Sequence, residues 1–292
     1  MIDQGKAMAD AEQRDAARRA EIARYADVAM YKAEPLEAAK GPQVFVLSMN
    51  PDPLGDAAAA IAMYRGQVIR DLSEVTDDQR REVLTSMRAT KLKAPLEFIK
   101  MHFLIENVHR GFTHQMVRQR TAVYAQESMR FAVKEGMARA VHLPPSLARF
   151  NDPQAVAELD DRVTREVDGL YPARLTDDER KFLRWREVAE QIEEGYDDLI
   201  NLGMPAEEAR GLAPTNVSTR LHYATDFRAL LEHAGNRLCT QAQFEWRQVF
   251  SRISEAIRAY GREQTYRDTN GRFLASGWQF DALADFFRPA CY

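Results

Sequence analysis

The apolar positions of this chain change period several times, and each change marks an element. VFVLSMN (44–50) is β-branched at its start and predicts a strand. Asp52-Pro53 stops it, and the run from Ala57 to Met63 propagates a helix. TDDQRREVLTSM (76–87) opens on a threonine cap with acids in the first turn, which predicts a second helix. Pro95 opens a short helix, PLEFIKM; HFLIENV (102–108) alternates as a strand; GFTHQMVRQR (111–120) reads as a helix. Residues 150–200 are highly charged and predict helices in DPQAVAELDDRVTREVDGLY and TDDERKFLRWREVAEQIEEGYDDLINLG, with Gly203 ending the second. Pro205 suits a helix's first turn. STRLHYATD (218–226) predicts a strand, and FRALLEHAGNR (227–237) and QAQFEWRQVFSRISEAIRAYG (241–261) predict helices. Residues 8–32, rich in Ala, Arg and Glu, predict an exposed helical arm. Strands interleaved with helices imply an α/β or α+β fold with much helix.

Composition narrows the function. The 292 residues suit one large domain or two modest ones, and 45% apolar content supplies a sizeable core. A net charge of −4 argues against generic nucleic-acid binding, so any anion site must be a local pocket. Cys239 and Cys291 form neither a metal-ligand spacing nor a disulfide framework, so no metal is expected and a reduced cytoplasmic setting is. No apolar run approaches the roughly 18 to 20 residues of a membrane span, and the first thirty residues lack a signal peptide's apolar stretch.

RQRTAVYAQESMR (118–130) gathers Arg118, Arg120 and Arg130 around Ser128. Arginine is the side chain best matched to phosphate, being planar, permanently charged and able to bind two oxygens together. On a helix Arg118 and Arg120 diverge and serve two anions; in a loop they converge on one. Most such pairs are solvated or form weak surface ion pairs, and spacing alone leaves both readings open.

The neighbourhood of this cluster carries a resemblance. THQMVRQRTAVYAQESMRF resembles the signature of the flavin-dependent thymidylate synthases: an Arg-His-Arg triplet, a seven-residue spacer, a serine, and an arginine two further on. VFVLSMNPDPLGDAAAAIAMYRG, PLEFIKMHFLIENVHRGFTHQ and YDDLINLGMPAEEARGLAPTNVSTRLHYATDFRALLEHAGNR, with QAQFEWR, resemble the family's other segments over about residues 42 to 250. The resemblance implies a catalytic domain over 41–292, with a central mixed sheet, many helices and a charged insertion near 150–175. Residues 1–40 become an N-terminal helical extension. It implies conversion of dUMP to dTMP, with methylenetetrahydrofolate giving the carbon and reduced FAD, recharged by NADPH, giving the hydride. By the same resemblance Gln115, Arg118, Gln126, Glu127, Ser128, Arg130, Arg210 and Arg237 bind deoxyuridine monophosphate. Arg237 is the catalytic arginine, stabilising the uracil ring deprotonated at N3 and so enriching C5 in electrons. His102, Arg118, Gln119, Arg120, Asp226, Arg228 and Glu232 take the FAD positions. The family's sites are assembled from several subunits of a homotetramer, which agrees with the lack of a GxGxxG loop here.

The chain departs from the pattern at Gln119, where the triplet has histidine, and at Phe98, Ala125, Asp226, Glu232 and Gln241. These departures cluster on the flavin and folate side. Three readings follow: a divergent thymidylate synthase, a flavin- and folate-dependent nucleotide 5-hydroxymethylase, and an inactive nucleotide-binding relative.

Overall fold

The computed structural model describes residues 31–89, 91, 93–167, 175–239, 242–263 and 277–287. The arm expected over 8–32 falls almost wholly outside them, as do Gln241, Cys291 and the end of the charged segment beyond Val167. Six strands are described: β1 (Tyr31–Lys32), β2 (Gln43–Met49), β3 (Lys100–His109), β4 (Val123–Gln126), β5 (Ala132–Val133) and β6 (Ser218–Asp226). The chain divides into two compact units, one comprising 1–35, 128–138 and 180–214, the other 36–127, 139–179 and 215–292.

The larger unit holds a four-stranded antiparallel sheet in the order β2-β3-β6-β4. Alternation along β3 sends Met101, Phe103 and Ile105 into the core, where they meet Leu221 and Tyr223 of β6. The helices Pro53–Tyr64, Phe227–Arg237, Phe244–Glu263 and Trp278–Ala284 contribute buried residues to the same core. The opposite face stays open, with Phe45, Leu47 and Val123 exposed. The expected helix-and-sheet class holds; among the described residues, parallel pairing occurs in the separate β1–β5 ladder of the smaller unit and not in the four-stranded sheet.

Several elements form where the sequence puts them. β6 and the helix Phe227–Arg237 match residue for residue. Asp226 closes the junction between them, its carboxylate accepting the N–H of Ala229 at 2.9 Å. The helix expected from Pro95 shrinks to the 3-10 segment Ala94–Phe98, because Lys100 and Met101 are claimed by β3, pairing with Asp226 and Thr225. The helix expected over 111–120 ends at Met116, leaving Arg118 and Arg120 in a turn. Gln119 accounts for that ending: its Nε2 donates to the carbonyl of Ala229 at 2.8 Å, and its Oε1 accepts from the Tyr223 hydroxyl at 3.2 Å. β4 had no sequence signal; it is four residues long and one-sided, and its register comes from pairing with β6.

One buried ion pair locks the first two helices of this unit. Asp52 caps Pro53–Tyr64 through Gly55 N, 3.0 Å away, and holds Arg80 of Asp77–Ala89 at 2.5 Å. Arg80 also donates to the Val75 carbonyl at 2.6 Å. Near the C-terminus, Gly261 is required by close packing: a Cβ there would lie 2.4 Å from Phe280 Cβ. In the smaller unit, Lys32 pairs with Glu135 at 2.5 Å, and the buried Tyr196 hydroxyl accepts from Lys134 N. Gly203 has φ +88, the left-handed conformation expected of a residue that ends the helix Asp177–Asn201.

Removing one partner of the buried pair leaves the other charge uncompensated. Arg80→Ala is expected to lower the unfolding free energy by about 3–5 kcal/mol. Arg65→Ala breaks the exposed pair with Glu82 and is expected to cost less than about 1 kcal/mol. Urea titration of both variants measures the contrast.

Candidate functional site

A cleft of ≈ 640 Å³ opens at one end of the four-stranded sheet. Four chain segments converge there: the end of β2 with Asn50, the start of β3, the turn leading into β4, and the end of β6. Its cationic groups are Lys100 and Arg120, with the His102 imidazole beside them. Ser48, Thr121 and Thr225 add hydroxyls, and Met49, Met101, Ala122 and Val123 add apolar surface. Arg120 is exposed and forms no ion pair with any described residue. Asp226 also lines the cleft, but its charge is engaged by the helix cap and by Lys100 at 3.5 Å. His102 Nε2 lies 2.9 Å from Nδ1 of His222 on the open sheet face.

The other residues expected at the flavin are arranged differently. Arg228 is held between Glu97 at 2.6 Å and Glu232 at 3.0 Å, so those charges close on themselves. Gln119 spends its amide on Ala229, Thr121 and Tyr223. Phe98 is 56% exposed. Lys100 and His222 were absent from the sequence-based set. Only strand register reveals them, since Leu104 pairs with His222 and Lys100 with Asp226.

Among the residues expected at the nucleotide, Gln115 and Arg237 are joined through one indole. Trp246 is fully buried. Its Nε1 donates to Gln115 Oε1 at 3.3 Å, and the Arg237 guanidinium sits 4.9 Å from its ring centroid. The edge of His233 packs against the same indole, with ring centroids 4.7 Å apart. Gln126 donates to Thr219 at 3.4 Å, and Glu127 lies 3.4 Å from Arg220, which also reaches Glu106 at 3.3 Å. Arg118 is exposed.

Ser128, Arg130 and Arg210 belong to the smaller unit. There Arg130 grips Glu207 with two contacts, 2.7 and 3.2 Å, while Arg210 Nε donates to the Glu207 carbonyl at 2.9 Å. The Ser128 hydroxyl accepts from Arg130 N at 3.2 Å. The local fold thus gathers these three around Glu207, which the sequence reading had not singled out.

The α+β unit thus carries a cationic, partly apolar cleft at one end of its sheet, the candidate site of this chain. The profile of the family described as thymidylate synthase complementing protein matches residues 45–260, and the chain belongs to that family. Among its curated relatives, the flavin-dependent thymidylate synthase of Pyrococcus furiosus is 29% identical over 200 residues, covering 68% of this chain and 71% of that protein. The flavin-dependent thymidylate synthase of Nitratidesulfovibrio vulgaris is 26% identical, covering 71% and 79%. A crystal structure of the Helicobacter pylori flavin-dependent thymidylate synthase ThyX, complexed with FAD and dUMP, aligns with a TM-score of 0.49 at 18% identity, covering 73% of this chain and 93% of that one.

Two imidazoles near these residues are held neutral. Burial pushes His233 down to about 4, with Arg237 adding to the effect; burial, then His109, pushes His142 down to about 4. In the unfolded chain both return to their ordinary 6.5. The unfolded state therefore binds more protons in between, so stability is full above pH 6.5 and falls as pH drops toward 4. The loss reaches up to about 3 kcal/mol for each imidazole. Unfolding free energy measured against pH should fall along this window, less steeply in His233→Phe.

Proposed function

We propose that this chain is a flavin-dependent thymidylate synthase, converting dUMP to dTMP with methylenetetrahydrofolate as carbon donor. Family membership across residues 45–260 gives the class, and the observation that carries the reading is Arg120 in the cleft with no ion partner among the described residues. That donor set fits FAD. Lys100 and Arg120 suit its phosphates, and Met49, Met101, Ala122 and Val123 suit a flat ring system. Bound FAD, recharged by NADPH, would supply the hydride. Gln119 and Arg228 enter the contact set only by giving up bonds they make within the chain.

The chain's own share is binding, orientation and charge. Arg130 already holds a carboxylate with two contacts, and a nucleotide phosphate would take over that fork. Arg210 and Ser128 stand ready on either side of it in sequence. Arg237, stacked on Trp246, is a cation whose orientation is constrained by the ring. Beside uracil N3 it would favour the deprotonated ring and push electron density toward C5, so no cysteine nucleophile is needed. A homotetramer with residues 41–292 as its catalytic part agrees with the open sheet face, where Phe45 is 47% and Val123 71% exposed. No helix among the described residues is long and apolar enough to cross a membrane, in keeping with a cytoplasmic enzyme.

A second reading draws support from Gln119, whose amide is engaged inward, and from exposed Phe98, both on the flavin side. If reduction at the new carbon is weak, water would trap it and give the 5-hydroxymethyl nucleotide. Mass analysis of the product formed with FAD, NADPH and methylenetetrahydrofolate decides between them. A methyl product is expected, and a product heavier by one oxygen favours the alternative. Arg237→Ala is expected to retain measurable dUMP binding and lose turnover; near-normal turnover would remove its catalytic role.

A further inference from the structure

The chain of side chains behind Gln115 has a direction. His109 Nδ1 accepts the amide N–H of Phe112 at 2.9 Å, so the proton of the neutral ring sits on Nε2. Nε2 lies 2.5 Å from Glu245 Oε2, and Gln243 Nε2 donates to the same oxygen at 2.7 Å. A carboxylate only accepts, so Gln243 must turn its amine toward Glu245 and its carbonyl away. That carbonyl accepts from Gln115 Nε2 at 3.0 Å. Gln115 Oε1 in turn accepts from Trp246 Nε1 at 3.3 Å. An indole only donates. The relay Trp246 → Gln115 → Gln243 → Glu245 is therefore pinned at both ends by groups that cannot reverse.

Glu245 is a costly residue for packing alone. Its side chain is 2% exposed, and Oε1 is buried with no hydrogen-bond partner among the described residues. A buried carboxylate of this kind adds little stability by itself, which favours a role in orientation. The relay commits one N–H of Gln115 to Gln243 and its oxygen to Trp246. The remaining N–H of Gln115 is left for an oxygen acceptor, such as a pyrimidine carbonyl or a phosphate. Were the amide reversed, the same place would present a lone pair and repel that oxygen.

We infer that Glu245, acting through Gln243, fixes the donor–acceptor sense of Gln115 and is thereby a positioning residue for the nucleotide. This rests on the proposed function and on the place of Gln115 among the dUMP ligands that the family resemblance implies. Glu245→Gln keeps the shape but offers both a donor and an acceptor, so the relay loses its fixed sense. Gln243→Met cuts the relay while leaving His109 and Glu245 together.

The test is the dissociation constant for dUMP by calorimetry on the full-length protein, in the wild type, Glu245→Gln, Gln243→Met, Gln115→Ala and the two doubles with Gln115→Ala. Each relay variant is expected to bind dUMP about tenfold more weakly. Neither is expected to add a loss in the Gln115→Ala background, because an effect exerted through Gln115 vanishes with it. A merely structural role would give additive losses, and additivity or wild-type affinity in the relay variants overturns the inference. If Glu245→Gln does not fold, Gln243→Met carries the same cycle. A wild type that binds no dUMP sinks the nucleotide reading and this inference with it. A wild type that binds, with additive variants, sinks this inference alone.

Discussion

The register of β3 between β2 and β6 governs the rest of the molecule. A slip by one residue would exchange its faces, driving His102 and Glu106 into the core and expelling Phe103 and Ile105. In the observed register the start of β3 meets the end of β6, so Lys100 reaches Asp226 and the cleft takes shape. At its other end His109 lies opposite Ser218, caps the helix Arg110–Met116 and meets Glu245. Ten strand residues put these ends roughly 30 Å apart. The register breaks between Ile105 and Val108, where buried Asn107 takes φ +54. The following helix and turn then carry the chain back from His109 to Arg120 at the cleft. One strand thus sets both the cleft and the polar relay behind Gln115.

Cation pairing explains how an acidic chain can keep anion sites. Arg80 is buried on Asp52, Arg228 is closed between two glutamates, and Arg130 holds Glu207. Among the described residues Arg120 forms no such pair, and Arg237 lies against the Trp246 ring. Positive charge left without an acidic partner beside low-dielectric surface is what attracts phosphate and favours an anionic ring. The arginine run that stands out in the sequence therefore holds groups with different local partners. Its members are distinguished by what the fold places next to each of them.

Local chemistry determined a good part of this protein. A β-branched start marked β2, alternation marked β3, Asp52-Pro53 marked the end of β2, Thr76 marked a helix start and Gly203 a helix end, because each of these signals acts within a few residues of itself. The resemblance over about residues 42 to 250 pointed to the family, since each segment that carries it is contiguous in the chain. Tertiary structure decided the rest. The helix after Gly111 stops at Met116 because Gln119 is tied to Ala229 and Tyr223, more than a hundred residues away. β4 exists because β6 offers it an edge. Lys100, His222, Gln243 and Glu245 acquire roles only through partners that register and helix packing bring to them. A sequence fixes which groups a chain carries and where it turns. Which of those groups are buried, paired or left facing a cleft depends on contacts distant in the chain, and these form only when the whole core closes.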